Sequence, residues 1–211
     1  TKICHRGIHL FTCNEFKNFM LMRHDAIQHD MKQLALYGAN SVVDTGLGRL
    51  NERDGRRGDL LFKGQGAYDR DLVVDISIGA AFAPSYLQSS SHTPNHVLNL
   101  LETQKNAKHK DNYRAVGIDF KPLTFEMHGA TSETFIKFFK TLVKSAADVN
   151  NMHYCVMYNY WQKRISTTMQ RFNAKIINMS QKKISRVTGM LRTGDVDLND
   201  VIENERHVHN H

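Results

Sequence analysis

Residues 55–79 read GRRGDLLFKGQGAYDRDLVVDISIG, two short apolar runs on either side of a glycine-rich polar turn. The runs, near 59–63 and 71–78, predict a hairpin of two β-strands, because apolar stretches bounded by Gly and Asp pair in this way. Each run carries an aspartate, Asp59 and Asp75, where a core strand would take Val or Ile. Opposed positions of an antiparallel pair have a constant sum. A turn centred near Ala67 therefore sets Asp59 roughly across from Asp75, about 4.5–5.5 Å apart at Cβ. Alternation puts Leu72, Val74, Ile76 and Ile78 on one face, and Val73, Asp75 and Ser77 with Asp59, Leu61 and Lys63 on the other. Two carboxylates this close repel, and each pKa rises unless a cation sits between them. A hard ion such as Mg²⁺, which takes one or two carboxylates plus waters and phosphate oxygens, suits the pair. The alternative is that Asp59 meets Arg56 or Arg57 where the strand begins, while Asp75 is exposed on an edge.

Outward from the hairpin, FMLMRHDAIQHDMKQLALYG (19–38) has its apolar residues at helical spacing, with Gly38 as the stop. NSVVDTGL (40–47) predicts a short strand, and 48–58 a loop dense in Arg, Asp and Gly. GAAFAPSYLQSSSHTPNH (79–96) reads as a connection rich in Pro and Ser. VLNLLETQKNAKHKDNYRAVG (97–117) predicts a basic helix, and DFKPLTFEMHG (119–129) a strand whose Pro122 argues for an edge or a bulge. SETFIKFFKTLVKSAADV (132–149) predicts an amphipathic helix capped by Ser132, and residues 153–184 one long helix or two. The apolar stripes 135–143 and 157–172, Trp161 included, predict core packing, with Lys163, Arg164, Arg171 and Lys175 on a solvated side. The layout is α/β (α+β), a small mixed sheet flanked by helices, with a C-terminal helical extension over 151–190 and a flexible tail over 191–211.

The 211 residues carry 28 Lys and Arg against 21 Asp and Glu, a net charge of +7 that favours an anionic partner such as DNA. Three cysteines at irregular spacing do not make a disulfide framework, so a reducing, intracellular setting, cytoplasmic or nuclear, is expected. No apolar run approaches the roughly 20 residues of a membrane span. The chain opens on Thr1 rather than methionine, which predicts further domains of a longer polypeptide upstream.

Taken together, GRRGDLLF, DLVVDISI, KHKDNY and GIDFKPLTFEMHG resemble the restriction-endonuclease-like domain of non-LTR retrotransposon polyproteins and related reverse-transcriptase-associated proteins. Those domains belong to the PD-(D/E)XK nuclease superfamily. The resemblance spans about residues 4 to 180, from HLFTC and RHDAI to YWQKRISTTMQRFNAKII, and rests on the order and spacing of motifs, none of them sharp alone. It implies a nuclease-like core over 19–150 and a Mg²⁺- or Mn²⁺-dependent endonuclease that nicks target DNA for a mobile element by target-primed reverse transcription. RRGD makes Asp59 the first metal-binding carboxylate, and VVDIS makes Asp75 the second. Two positions depart from the pattern: Gly58 stands where the family has proline, and Ser77 where it has a catalytic lysine. The resemblance places that lysine on the following helix near a tyrosine, where Lys110 is favoured and Lys108 is open. Lys63 is an outside candidate. Glu52 and Glu126 are candidates to complete the acidic site, or to pair with nearby arginines. Arg56, Arg57, Lys105 and Tyr113 are candidates to contact nucleic acid. The missing lysine at 77 keeps a second reading open, a nuclease fold that binds nucleic acid without cutting it.

Cys4, His9 and Cys13 in CHRGIHLFTC give three ligands of the kind tetrahedral Zn²⁺ uses, with the fourth upstream of Thr1, or His5, or His24. The resemblance implies the end of a zinc-knuckle-like segment over 1–18. Buried cysteines with surface histidines are the alternative.

Overall fold

A computed structural model describes residues 11, 16–44 and 58–193. Its elements are α1 (Lys17–Tyr37), β1 (Val42–Asp44), β2 (Leu60–Phe62), β3 (Leu72–Gly79), α2 (Leu87–His92), α3 (His96–Ala115), β4 (Asp119–Glu126), α4 (Glu133–Val149) and α5 (Tyr154–Thr193). The strands form one mixed sheet in the order β1-β2-β3-β4. β1–β2 and β2–β3 pair antiparallel, while β3 and β4 run parallel. A parallel pair needs a crossover, and α2 and α3 supply it. Pro122 lies on β4, which among the described strands pairs with β3 alone, so its missing N–H interrupts no second strand ladder.

The two faces of the sheet bury different partners. Leu60, Phe62, Leu72, Val74, Ile76, Leu123 and Phe125 join α1, α4 and α5 in the main core. On the opposite face Val73 and Phe120 pack with Tyr113 of α3. This is the alternation read from the sequence, and it buries both sides of β3. α4 lies on the main face through Phe135, Phe138, Phe139 and Leu142, and its first turn is closed by Ser132, whose Oγ accepts from the Phe135 N–H at 3.2 Å. Met157, Trp161, Ile165 and Met169 of α5 belong to the same core, so the helix expected as an extension helps to cover the sheet through α1 and α4. Asp30 on α1 fastens α5, accepting from Arg164 Nε at 2.7 Å and Thr168 Oγ1 at 2.6 Å.

Sequence and structure differ at two places: strand β1 begins at Val42, two residues later than expected, and the connection over 79–96 contains the short helix α2. Of the two options for 153–184, the structure has the single helix, Tyr154–Thr193. α2 has no buried residue, so no apolar periodicity announced it. No helix among the described residues is long and apolar enough to cross a membrane.

Phe138 meets Phe62 edge-to-face at 5.1 Å between ring centroids and joins α4 to β2. Phe138→Ala is expected to lower the free energy of unfolding by about 3–5 kcal/mol, measured by urea denaturation.

Candidate functional site

The register sets the site. Leu60 stands opposite Val74, and one step further along the hairpin come Asp59 and Asp75. The Asp59 N–H donates to Val74 O at 2.7 Å. Just before it, the Gly58 N–H donates to the Tyr113 hydroxyl at 2.9 Å. A Cβ at position 58 would come within 2.2 Å of Val73 Cγ1 and 3.0 Å of Val74 O. Glycine is thus required by close approach, and a proline here would also lack the N–H that Tyr113 receives. Gly58 is a packing feature that anchors Asp59.

Asp59 is held from three directions. Its Oδ2 accepts from the Ile76 N–H at 2.5 Å and lies 3.1 Å from His24 Nε2. Gln28, one helical turn beyond His24 on α1, donates from Nε2 to the Asp59 carbonyl at 3.0 Å. His24 Nε2 is also 3.2 Å from Ile76 O, and Nδ1 is 3.2 Å from Asp25 Oδ1. All of these partners are acceptors, so both ring nitrogens are best satisfied as donors, in the imidazolium. The His24 pKa is accordingly raised to about 9, chiefly by the hydrogen bond to Asp59, with burial opposing.

Asp75 is 3% exposed. Burial, and after it the charge of Asp59, pushes its pKa up to about 6. Lys105 opposes that rise, its Nζ lying 2.6 Å from Asp75 Oδ2. The two carboxylates thus face the Lys105 ammonium and the His24 ring, whose far nitrogen meets a third carboxylate, Asp25.

Lys105 was expected to contact nucleic acid, and the favoured catalytic lysines were Lys110 and Lys108. The structure brings Lys105 to the carboxylates and leaves the other two on the exposed side of α3. The sheet-facing row of α3 runs Lys105, His109, Tyr113 in steps of four. Lys108 and Lys110 flank buried His109 in sequence, so each lies about 100° around the helix from the centre of that row. Tyr113, also assigned to nucleic acid, is 1% exposed and stacked on Phe120 at 5.5 Å, so it is a core residue. Lys63 lies at the turn end of the hairpin, paired with Asp71 at 2.8 Å. Glu126 shares the α3 face, but β3–β4 pairing sets it beside Gly79, four residues along from the Asp75–Pro122 pair. That is about 13 Å at the strand rise. Glu52, Arg56, Arg57, Cys4, His9 and Cys13 lie outside the described residues.

His24 as a partner of Asp59 was not foreseen from the sequence, where it stands only as a possible zinc ligand. Nor was Gln28. The available signal was their spacing of four on a helix with neighbouring polar residues, which does not say what the helix packs against.

As a donor set the site fits a hard divalent cation: two adjacent carboxylates, one with its pKa raised first by burial and then by the charge of its neighbour, a condition a cation relieves. Among the described residues no group of three or more His, Cys, Asp and Glu is gathered as a metal cage, so waters and substrate oxygens would complete the coordination. No family model and no curated protein matches the chain.

Two outcomes are expected in metal-free buffer. Gly58→Ala should destabilise by about 1–3 kcal/mol through overpacking against Val73, read by thermal or urea unfolding. The pH profile should also carry a signed slope. His24 binds its proton more tightly folded than unfolded, so its contribution is full below about 6.5 and is lost as pH rises through about 9. For Asp75 the folded pKa of about 6 also lies above the ordinary 3.8, so stability falls as pH rises through that window. Unfolding free energies in EDTA should decline across both windows, and His24→Gln should flatten only the upper one.

Proposed function

We propose that the chain is a metal-dependent DNA endonuclease with a restriction-endonuclease-like core of the PD-(D/E)XK kind. The observation that carries this reading is the meeting of Asp59, Asp75 and the Lys105 ammonium at one end of the β2–β3 hairpin. Asp59 and Asp75 would hold Mg²⁺ or Mn²⁺ between them. The bound ion would make water a nucleophile at neutral pH and offset charge on the phosphate. Lys105 presents its ammonium where negative charge grows on the phosphate oxygens during in-line displacement of the 3′ oxygen. It thereby fills from α3 the role that Ser77 does not fill from β3. His24 and the Ile76 N–H fix the orientation of the Asp59 carboxylate, and Gln28 fixes its backbone. Substrate and setting follow from the resemblance and the basic charge: DNA nicked for a mobile element, by one domain of a longer polyprotein acting inside the cell, in nucleus or cytoplasm.

A second reading has its own observation. His24 and Lys105 already pair with the two carboxylates, and Ser77 replaces the usual lysine, as in a nuclease fold kept for binding nucleic acid without cutting.

Plasmid nicking by the purified chain in Mg²⁺ or Mn²⁺ separates the two. Asp59→Ala, Asp75→Ala and Lys105→Ala are each expected to slow nicking by about a hundredfold or more, while Lys108→Ala and Lys110→Ala stay within severalfold. Nicking that survives both aspartate substitutions would falsify the assignment. No nicking, together with DNA binding whose log K falls linearly with log salt, favours the second reading.

A further inference from the structure

A groove of about 430 Å³ opens beside the carboxylate pair, between the first half of α1 and the end of β3. His24 and Ser77 line it where it adjoins the pair, Lys17 and Arg23 line the α1 side, and Tyr86 lies beyond. The described lining contains no Asp or Glu. Such a volume lies in the range of sites that seat a small ligand or a ligand group.

Arg23 is the unusual member. It is 4% exposed, yet among the described residues no carboxylate pairs with it and its Nε has no hydrogen-bond partner. Nη1 donates to Asn173 Oδ1 at 2.7 Å. The Asn173 amide is fixed in that orientation because its Nδ2 donates to Met127 O at 2.7 Å. A neutral amide oxygen aligns the guanidinium and does not neutralise it. Buried charges are ordinarily paired, since desolvation without a counter-charge is costly. Burial has already drawn the Arg23 pKa down to about 10. Among the described residues, no anion faces this charge.

We propose that the groove seats a phosphate group of a nucleic-acid strand, with Arg23 as its principal cation and Lys17 as a second one at the rim. The inference rests on the nuclease reading for its choice of strand, because His24 and Ser77 join the groove to the carboxylates. A strand whose phosphate sits on Arg23 continues over Asp59 and Asp75. The planar guanidinium matches phosphate oxygens in a way that a surface lysine does not.

The test is binding without cleavage. In EDTA, fluorescence anisotropy with a labelled single-stranded or duplex DNA oligonucleotide is compared for the wild type, Arg23→Met, Lys17→Ala and the Asp59→Ala, Asp75→Ala double variant. Arg23→Met is expected to weaken binding by about tenfold or more, as for loss of a charge-assisted contact, and to reduce the slope of log K against log salt by about 0.7–0.9. The double variant should bind at least as well as wild type. A folded Arg23→Met protein with unchanged affinity and slope overturns the proposal, and assigns DNA binding to surface charge. Should Arg23→Met fail to fold, the side-chain Nε–H resonance of Arg23 in the wild type decides. It should shift on titration with oligonucleotide, and absence of a shift overturns the proposal. A shift with inorganic phosphate but none with oligonucleotide overturns the assignment to a strand. Because no step involves catalysis, Arg23-dependent binding without nicking would sink only the nuclease reading. Nicking that needs Asp59 and Asp75, with Arg23 silent in binding, would sink only the groove.

Discussion

Two aspartates held side by side at the end of a hairpin are the constraint around which the surrounding residues are arranged. Like charges in that position repel, and burial of Asp75 sharpens the conflict. The fold answers with donors from three elements: the Ile76 amide from the strand itself, His24 from α1 and Lys105 from α3. Gly58 and the Tyr113 hydroxyl then fix the backbone that leads into Asp59. Relaxing the pair would mean dismantling contacts on both faces of the sheet.

Helix α1 does more than cover the sheet. Along its length His24 and Gln28 reach Asp59, Arg23 reaches Asn173 of α5 and the neighbouring groove, and Asp30 ties down Arg164 and Thr168. Positioning of the carboxylates is therefore coupled to packing of α5. The long C-terminal helix serves the site from a distance by holding α1 in place.

The positive charge of the chain gains a location in this arrangement. Lys105 is spent on Asp75, Arg164 on Asp30, and Lys63 on Asp71. Arg23 and Lys17, by contrast, line a groove whose described walls carry no acid. On the nuclease reading, these cations and not the exposed Lys108 and Lys110 face the strand beside the carboxylates.

Much of the architecture was legible in the residues because it depends on local periodicity. Alternation in 71–78 gave the two faces of β3, the constant sum across the turn gave the opposition of Asp59 and Asp75, and helical spacing with Ser132 and Gly38 gave α1 and α4. Pro122 marked an edge strand because it lacks a donor. The tertiary structure alone decided which lysine reaches Asp75. Helical phase between Lys105, Lys108 and Lys110 is read only once Tyr113 is known to be buried, and burial is a property of the packed sheet. It alone also decided that His24 serves Asp59 and that Arg23 is buried against Asn173, since those pairings join residues whose separation in sequence carries no period.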